Sequence, residues 1–132
     1  SGGRIGLANW TPEGLIGRLF KVIGAHVPPP AGVTSPALWG SEPHLVELFG
    51  PQAADIRCER RNFNFRYRSA EHWVQIFREY YGPTHKAFAA LDEPRQQAME
   101  RDILELLAEF NVAGERSLVA PAEYLEVVIV KR

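Results

Sequence analysis

The chain has 132 residues, one domain's worth, and its 45% hydrophobic and 11% aromatic content supports a core and excludes a disordered chain. With 15 basic and 16 acidic side chains the net charge is −1, which excludes a general electrostatic attraction to nucleic acid or anionic membrane. A single cysteine, Cys58, excludes an internal disulfide and suits a reducing, cytoplasmic setting; there is neither a membrane-span-length apolar stretch nor a signal-peptide pattern.

In chain order, the apolar run Ile5-Gly6-Leu7-Ala8 predicts a strand over 4–9, ending at Asn9-Trp10. Thr11-Pro12-Glu13 follows as a helix start, with Thr11 as N-cap and Pro12 in the first turn. Leu15, Ile16, Leu19, Phe20 and Ile23 recur at helical spacing up to Gly24. Residues 27–40, with four prolines and two glycines, are a loop of partly polyproline character. Ser41 caps a short helix carrying Leu45, Leu48 and Phe49, which Gly50-Pro51 closes.

Over 54–67 the period is two, but its phase changes. Ala54, Ile56 and Cys58 are apolar at even positions, whereas Phe63, Phe65 and Tyr67 are apolar at odd ones. One face cannot hold both sets without a register change, which predicts a bulge near Glu59–Arg61. Ser69 caps an amphipathic helix whose stripe is Trp73, Ile76, Phe77, Tyr80 and Tyr81, and Gly82-Pro83 ends it. A short helix runs to Leu91, and Asp92-Glu93-Pro94 opens a longer one through Phe110. The β-branched run over 123–131 reads as a central strand. These elements make a single α/β domain over 1–132, with three strands and about five helices packed on the sheet faces.

Motifs for chemistry are sparse. His26, His44, His72 and His85 form no i+3 or i+4 pair and no ligand pattern, so no metal site is expected. Cys58, mid-strand, reads as a small packing residue rather than a nucleophile. No G-x-G occurs, which excludes a dinucleotide or P-loop fingerprint, and there is no G-x-S-x-G elbow. Arg61, Phe63, Phe65 and Tyr67 loosely follow an RNA-recognition spacing, but Asn62 and Asn64 stand where small glycines belong. Nucleic acid is therefore not the expected partner. What remains is a supply of aromatics near loops. Trp10 follows a strand's carboxyl end, where open α/β sheets bind ligands. Trp39 lies in the proline-rich loop, and Tyr67, Trp73, Tyr80, Tyr81 and His85 complete the set.

The opening "GGRIGLANWTPEG" resembles the fifth-strand segment of class I S-adenosylmethionine-dependent methyltransferases, in the branch akin to ubiquinone/menaquinone biosynthesis. "HVPPPAGVTSPALWG", "FNFRYRSAEHW", "YYGPTHKAFAAL" and "EYLEVVIVKR" are similar, in order and spacing, to the carboxyl-terminal portion of the same enzymes. The resemblance implies strands five, six and seven of a Rossmann-like sheet. The order is then 4–9, 123–131, 54–67, with the last strand central and antiparallel.

The resemblance further implies a small, partly apolar methyl acceptor, bound by Asn9, Trp10, Trp39, Tyr67 and Tyr80, with His85 or Tyr81 as proton acceptor. The family's amino-terminal half, with its glycine-rich loop and acidic residue, has no counterpart here. S-adenosylmethionine is thus the cofactor of the complete enzyme, and this chain alone is expected neither to bind it nor to be active. The bare outer edge of strand 4–9 is expected to recruit a second copy or the missing amino-terminal half. A stand-alone ligand-binding or interaction module is the alternative reading.

Overall fold

A computed structural model describes residues 1–132. It is an α/β fold of three strands and five helices in the order β1 (Arg4–Trp10), α1 (Leu15–His26), α2 (Glu42–Phe49), β2 (Ala53–Tyr67), α3 (Ala70–Tyr80), α4 (Gly82–Ala89), α5 (Glu93–Phe110) and β3 (Leu118–Lys131). The sheet order is β1-β3-β2, and β3 runs antiparallel to both neighbours, so β1 and β2 are parallel to each other. The order and the central last strand agree with the sequence reading. β3 begins five residues earlier than expected, at Leu118, because Leu118, Ala120 and Ala122 pack under helices.

No bulge interrupts β2 at Glu59–Arg61. Its pairing with β3 is continuous from Asp55↔Val130 to Tyr67↔Leu118, and the one irregularity lies at Ala53/Asp55. The phase change has another cause: the buried face of the sheet switches partway along. On the front face Leu118, Ala120 and Ala122, with Phe65 and Tyr67 beside them, pack against α1, α3, α4 and α5. Towards the other end of β3 it is the back face that is buried. There Leu125, Val127 and Ile129, with Leu7, Ile56 and Cys58, pack against Leu45 and Phe49 of α2. A strand keeps its period of two while its cover changes sides, so both apolar phases are satisfied without an extra residue.

The helices start and stop largely as their caps dictate. The Ser69 hydroxyl accepts the His72 N–H at 3.1 Å, and the Asp92 carboxylate accepts the Arg95 N–H at 3.1 Å. Thr11 is not a helix cap. α1 begins at Leu15 with Gly14 at the cap position, and fully buried Thr11 ties the intervening turn to β3. Gly82-Pro83 ends α3 but also opens α4, since proline suits a first helical turn. The α3 stripe buries Trp73, Val74 and Phe77, stacking Trp73 on Phe77 at 3.6 Å, whereas Tyr80 is 72% exposed. No helix is long and apolar enough to cross a membrane.

Candidate functional site

The carboxyl end of β1 is where the most chemistry converges. Trp10 pairs with Tyr124, and alternation along the strands puts Ala8, Trp10, Tyr124 and Phe63 on the front face. These four residues line a shallow apolar depression of about 250 Å³ just beyond the edge of the helical layer. Trp10 meets Phe63 and Tyr124 edge to face, with ring centroids 6.5 and 6.2 Å apart, and leans on Phe65 at 5.9 Å. Edge-to-face geometry sets the positive ring edge of one aromatic on the negative face of the next. Phe63 stays 52% exposed, so one wall of the depression is open.

Through Phe65 the network continues to Tyr67 and to Phe77, and Phe77 carries Tyr81 at 4.8 Å. The fold therefore joins Trp10, Tyr67 and Tyr81 in one aromatic chain. Burial pushes the Tyr81 phenol above the usual tyrosine range, which keeps it protonated and makes it a hydrogen-bond donor rather than a base.

The other expected residues lie elsewhere. Asn9 pairs with Leu125 and faces the back of the sheet. Trp39 sits in the helical turn Pro36–Gly40, whose backbone lies so close to β1 that a Cβ on Gly40 would fall 2.0 Å from the Trp10 carbonyl oxygen. The Trp39 ring nevertheless turns to α2, against His44 and Phe49. Exposed Tyr80 has its phenol pushed up by a hydrogen bond to Glu79, which also favours the protonated form. His85 lines a separate cleft of about 380 Å³ with Gln75, Arg78, Glu79 and Gln96. Its Nδ1 lies 3.0 Å from the Arg78 carbonyl, which can only accept; in the neutral ring Nε2 is then left as the basic nitrogen. No group of histidine, cysteine and carboxylate side chains assembles a metal site. Burial, with Glu42 nearby, raises the Cys58 thiol, the opposite of what a nucleophile needs.

Sequence reasoning passed over the polar knot behind Trp10. The Thr11 hydroxyl donates to Glu123 Oε1 at 2.9 Å and accepts the Gly14 N–H at 3.2 Å. Arg60 donates to the same Glu123 oxygen at 2.7 Å and lies 3.7 Å from Glu13. Residues from β2, β3 and the turn between β1 and α1 thus meet at one carboxylate. Its sequence signal was the polar pair Arg60 and Glu123 inside two strands, but only the register, Arg60↔Leu125 and Asn62↔Glu123, shows them to be diagonal neighbours on one face.

No family model matches the chain. It is similar to two proteins of Mycobacterium tuberculosis (strain ATCC 25618 / H37Rv), both described as uncharacterized. It is 34% identical to Rv1403c over 117 residues, covering 86% of this chain and 43% of the relative. It is 32% identical to Rv1405c over 135 residues, covering 99% and 48%. A relative in Mycobacterium bovis (strain ATCC BAA-935 / AF2122/97), Mb1438c, also uncharacterized, is 34% identical over 117 residues. The chain spans less than half the length of these curated relatives.

Proposed function

We propose that these 132 residues form the acceptor-binding portion of an S-adenosylmethionine-dependent methyltransferase acting on a small, partly apolar molecule. The observation that carries this reading is the sheet order β1-β3-β2 with β3 antiparallel, which is the arrangement the resemblance implies for a Rossmann-like carboxyl-terminal portion. The relatives' greater length supports it, since it leaves room for a second portion that holds the cofactor.

The residues present do not fit the cofactor themselves. The turn from β1 into α1 is closed by buried Thr11, and the Gly14 N–H is spent on the Thr11 hydroxyl and carbonyl oxygens. That N–H is therefore not offered to a carboxylate or ribose. The chain's own contribution is positional: Trp10, Phe63 and Tyr124 offer flat apolar surface to an acceptor and exclude water around it. His85 lines a cleft apart from that surface, so its Nε2 serves as proton acceptor, with Tyr81 as a hydrogen-bond donor, only for an acceptor that extends from the Trp10 surface to the helical layer. The outer edge of β1, which carries no charge between Ile5 and Asn9, receives the cofactor-binding portion or, in its absence, a second copy.

Calorimetric titration tests the reading. A protein of the relatives' length, carrying this chain, should bind S-adenosylmethionine, and the 132-residue chain should not. Micromolar binding by the short chain, or none by the long one, would overturn it. Methyl transfer that persists in His85→Ala removes the proton-acceptor role alone. A non-catalytic ligand-binding module, the alternative, predicts acceptor binding with no cofactor binding by either protein.

A further inference from the structure

A second apolar recess lies away from the sheet. Phe20, Ile23, Gly24 and Val27 form one side of the last turns of α1. After Val27 the chain runs through Pro28, Pro29 and Pro30 and turns at Gly32, whose φ of +82° is the left-handed conformation that glycine adopts freely. Pro29, Val33, Thr34, Ser35 and Pro36 then lie along α1, and Pro83 of α4 closes the end. The groove between them measures about 280 Å³, the liquid volume of roughly nine waters.

Three features mark it off from the rest of the surface. First, no charged side chain lines it, a property it shares with the shallow Trp10–Phe63 depression, whereas the clefts beside His85, between α1 and α5, and beside Tyr67 each carry an arginine. A charged ligand group would lose its hydration there without a partner, so the lining selects an uncharged occupant. Second, the loop wall is set by proline stiffness rather than burial: residues 28–36 are all exposed, and Val33 is 58% exposed while bordering the groove. Third, the groove brings together two segments distant in sequence, "HVPPPAGVTSPALWG" and "YYGPTHKAFAAL", both among those that carry the methyltransferase resemblance. The mouth is not wholly apolar. Thr34 and Ser35 stand there, and Ser35 Oγ accepts the Ala37 N–H at 3.3 Å, so its O–H is free to donate.

We infer that this groove binds the uncharged apolar part of a small molecule, a short alkyl chain or a single substituted ring, with one hydroxyl or carbonyl oxygen held at Thr34 and Ser35. That this is a part of the methyl acceptor other than the part held at Trp10 and Phe63 rests on the function proposed above; the binding itself does not.

The test is a methyl-resolved NMR titration of the 132-residue chain with decanol, and with decanoate as the charged counterpart of equal length. Saturable shifts are expected at Ile23, Val27 and Val33, with decanoate weaker by about ten-fold or more. Gly24→Leu should fill the groove, because a Cβ at Gly24 meets only the Pro29 ring, at 4.0 Å. Val33→Asp, at an exposed site that the fold does not depend on, should place a charge at the mouth. Each variant should weaken decanol by about ten-fold. No saturable shift, shifts confined to the Ala8 and Val128 methyls beside Trp10 and Phe63, equal affinity for decanoate, or an unchanged affinity in Val33→Asp would overturn the inference. Decanol binding in the groove together with no S-adenosylmethionine binding by the longer protein would leave the groove standing and remove the methyltransferase.

Discussion

The sheet leaves two half-faces uncovered, diagonally opposite each other, and they differ in kind. On the back, beside the amino-terminal half of β3, the exposed side chains of β2 are Asn62, Asn64 and Arg66, a surface content with water. On the front, beside the carboxyl-terminal half of β3, the surface is apolar towards β1, with Gly6, Ala8, Trp10, Tyr124, Val128 and neighbouring Phe63, and charged towards β2, with Asp55, Arg57, Glu59, Arg61 and Glu126; Phe63 is 52% and Val128 37% exposed. The strand edges follow the same division. β2 carries Arg57, Glu59, Arg60 and Arg61 along its outer edge, the charges that keep an unpaired strand from recruiting another. Between Ile5 and Asn9 β1 carries none. The apolar strip along β1, beside an unprotected edge, is the mark of a surface meant to be covered, whereas the polar half-face needs nothing. The strip, an apolar ledge, ends at a charged border on the β2 side, where Arg61 reaches Glu126 at 3.0 Å and Glu59 at 2.6 Å and Arg57 reaches Asp55 at 2.7 Å.

The sharpest way to break this division is to compare two phenylalanines two residues apart on the same face. Phe65 packs against Trp10, Trp73 and Phe77 under the helices; Phe63 sits on the ledge. Phe65→Ala should cost about 3 kcal/mol of stability by urea unfolding. Phe63→Ala should cost the isolated chain less than about 1 kcal/mol, because little of its burial is at stake. Equal losses would mean that the ledge is already part of the core.

The next effect concerns the knot that joins the two half-faces. Thr11→Val keeps the volume but leaves the Gly14 N–H and the Glu123 carboxylate each without one partner. It should cost about 2 kcal/mol in chemical denaturation. A neutral Thr11→Val would show that Arg60 alone holds Glu123.

These contrasts also explain what could be read in advance. The central position of β3 was legible because "VVIV" is β-branched and apolar at consecutive positions, as suits a strand paired on both edges, although only its back face is covered there and Val128 is 37% exposed. Ser69 and Asp92 announced their helices because capping is local chemistry. The expected bulge at Glu59–Arg61 was a sound inference from one strand and wrong for the molecule: where the cover changes face is decided by α2 and α3, which a strand's own pattern does not contain. The meeting of Trp10, Phe63 and Tyr124 was likewise invisible, since it depends on the pairings Trp10↔Tyr124 and Phe63↔Ala122. Tyr80 had helical spacing suited to the stripe, yet α3 ends there and its ring turns outward.

A smaller effect, of opposite sign, lies in the covering helices. Thr84 is fully buried in α4 and its hydroxyl has no hydrogen-bond partner. Thr84→Val removes that unsatisfied group at constant volume and should stabilise the chain by about 1 kcal/mol. A destabilised variant would indicate a buried water on Thr84 and a helical layer more hydrated than the aromatic chain beneath it.

The smallest change in stability tests the edge itself. Ile5 is 44% exposed on the unprotected strand, so Ile5→Lys should alter unfolding by no more than about 0.5 kcal/mol. Its effect should show instead in sedimentation velocity at high concentration. The unmodified chain is expected to associate through β1, and Ile5→Lys to run as a monomer, because a charge on that edge opposes pairing with a second strand. On the opposite edge Arg57→Ala should change neither measurement, since Arg57 is 80% exposed and its partner Asp55 lies on its own strand. An unmodified chain that is monomeric throughout would mean that β1 discourages pairing despite having no charge between Ile5 and Asn9. The contrast between the two edges would then fail, while that between the two half-faces would still rest on Phe63 and Phe65.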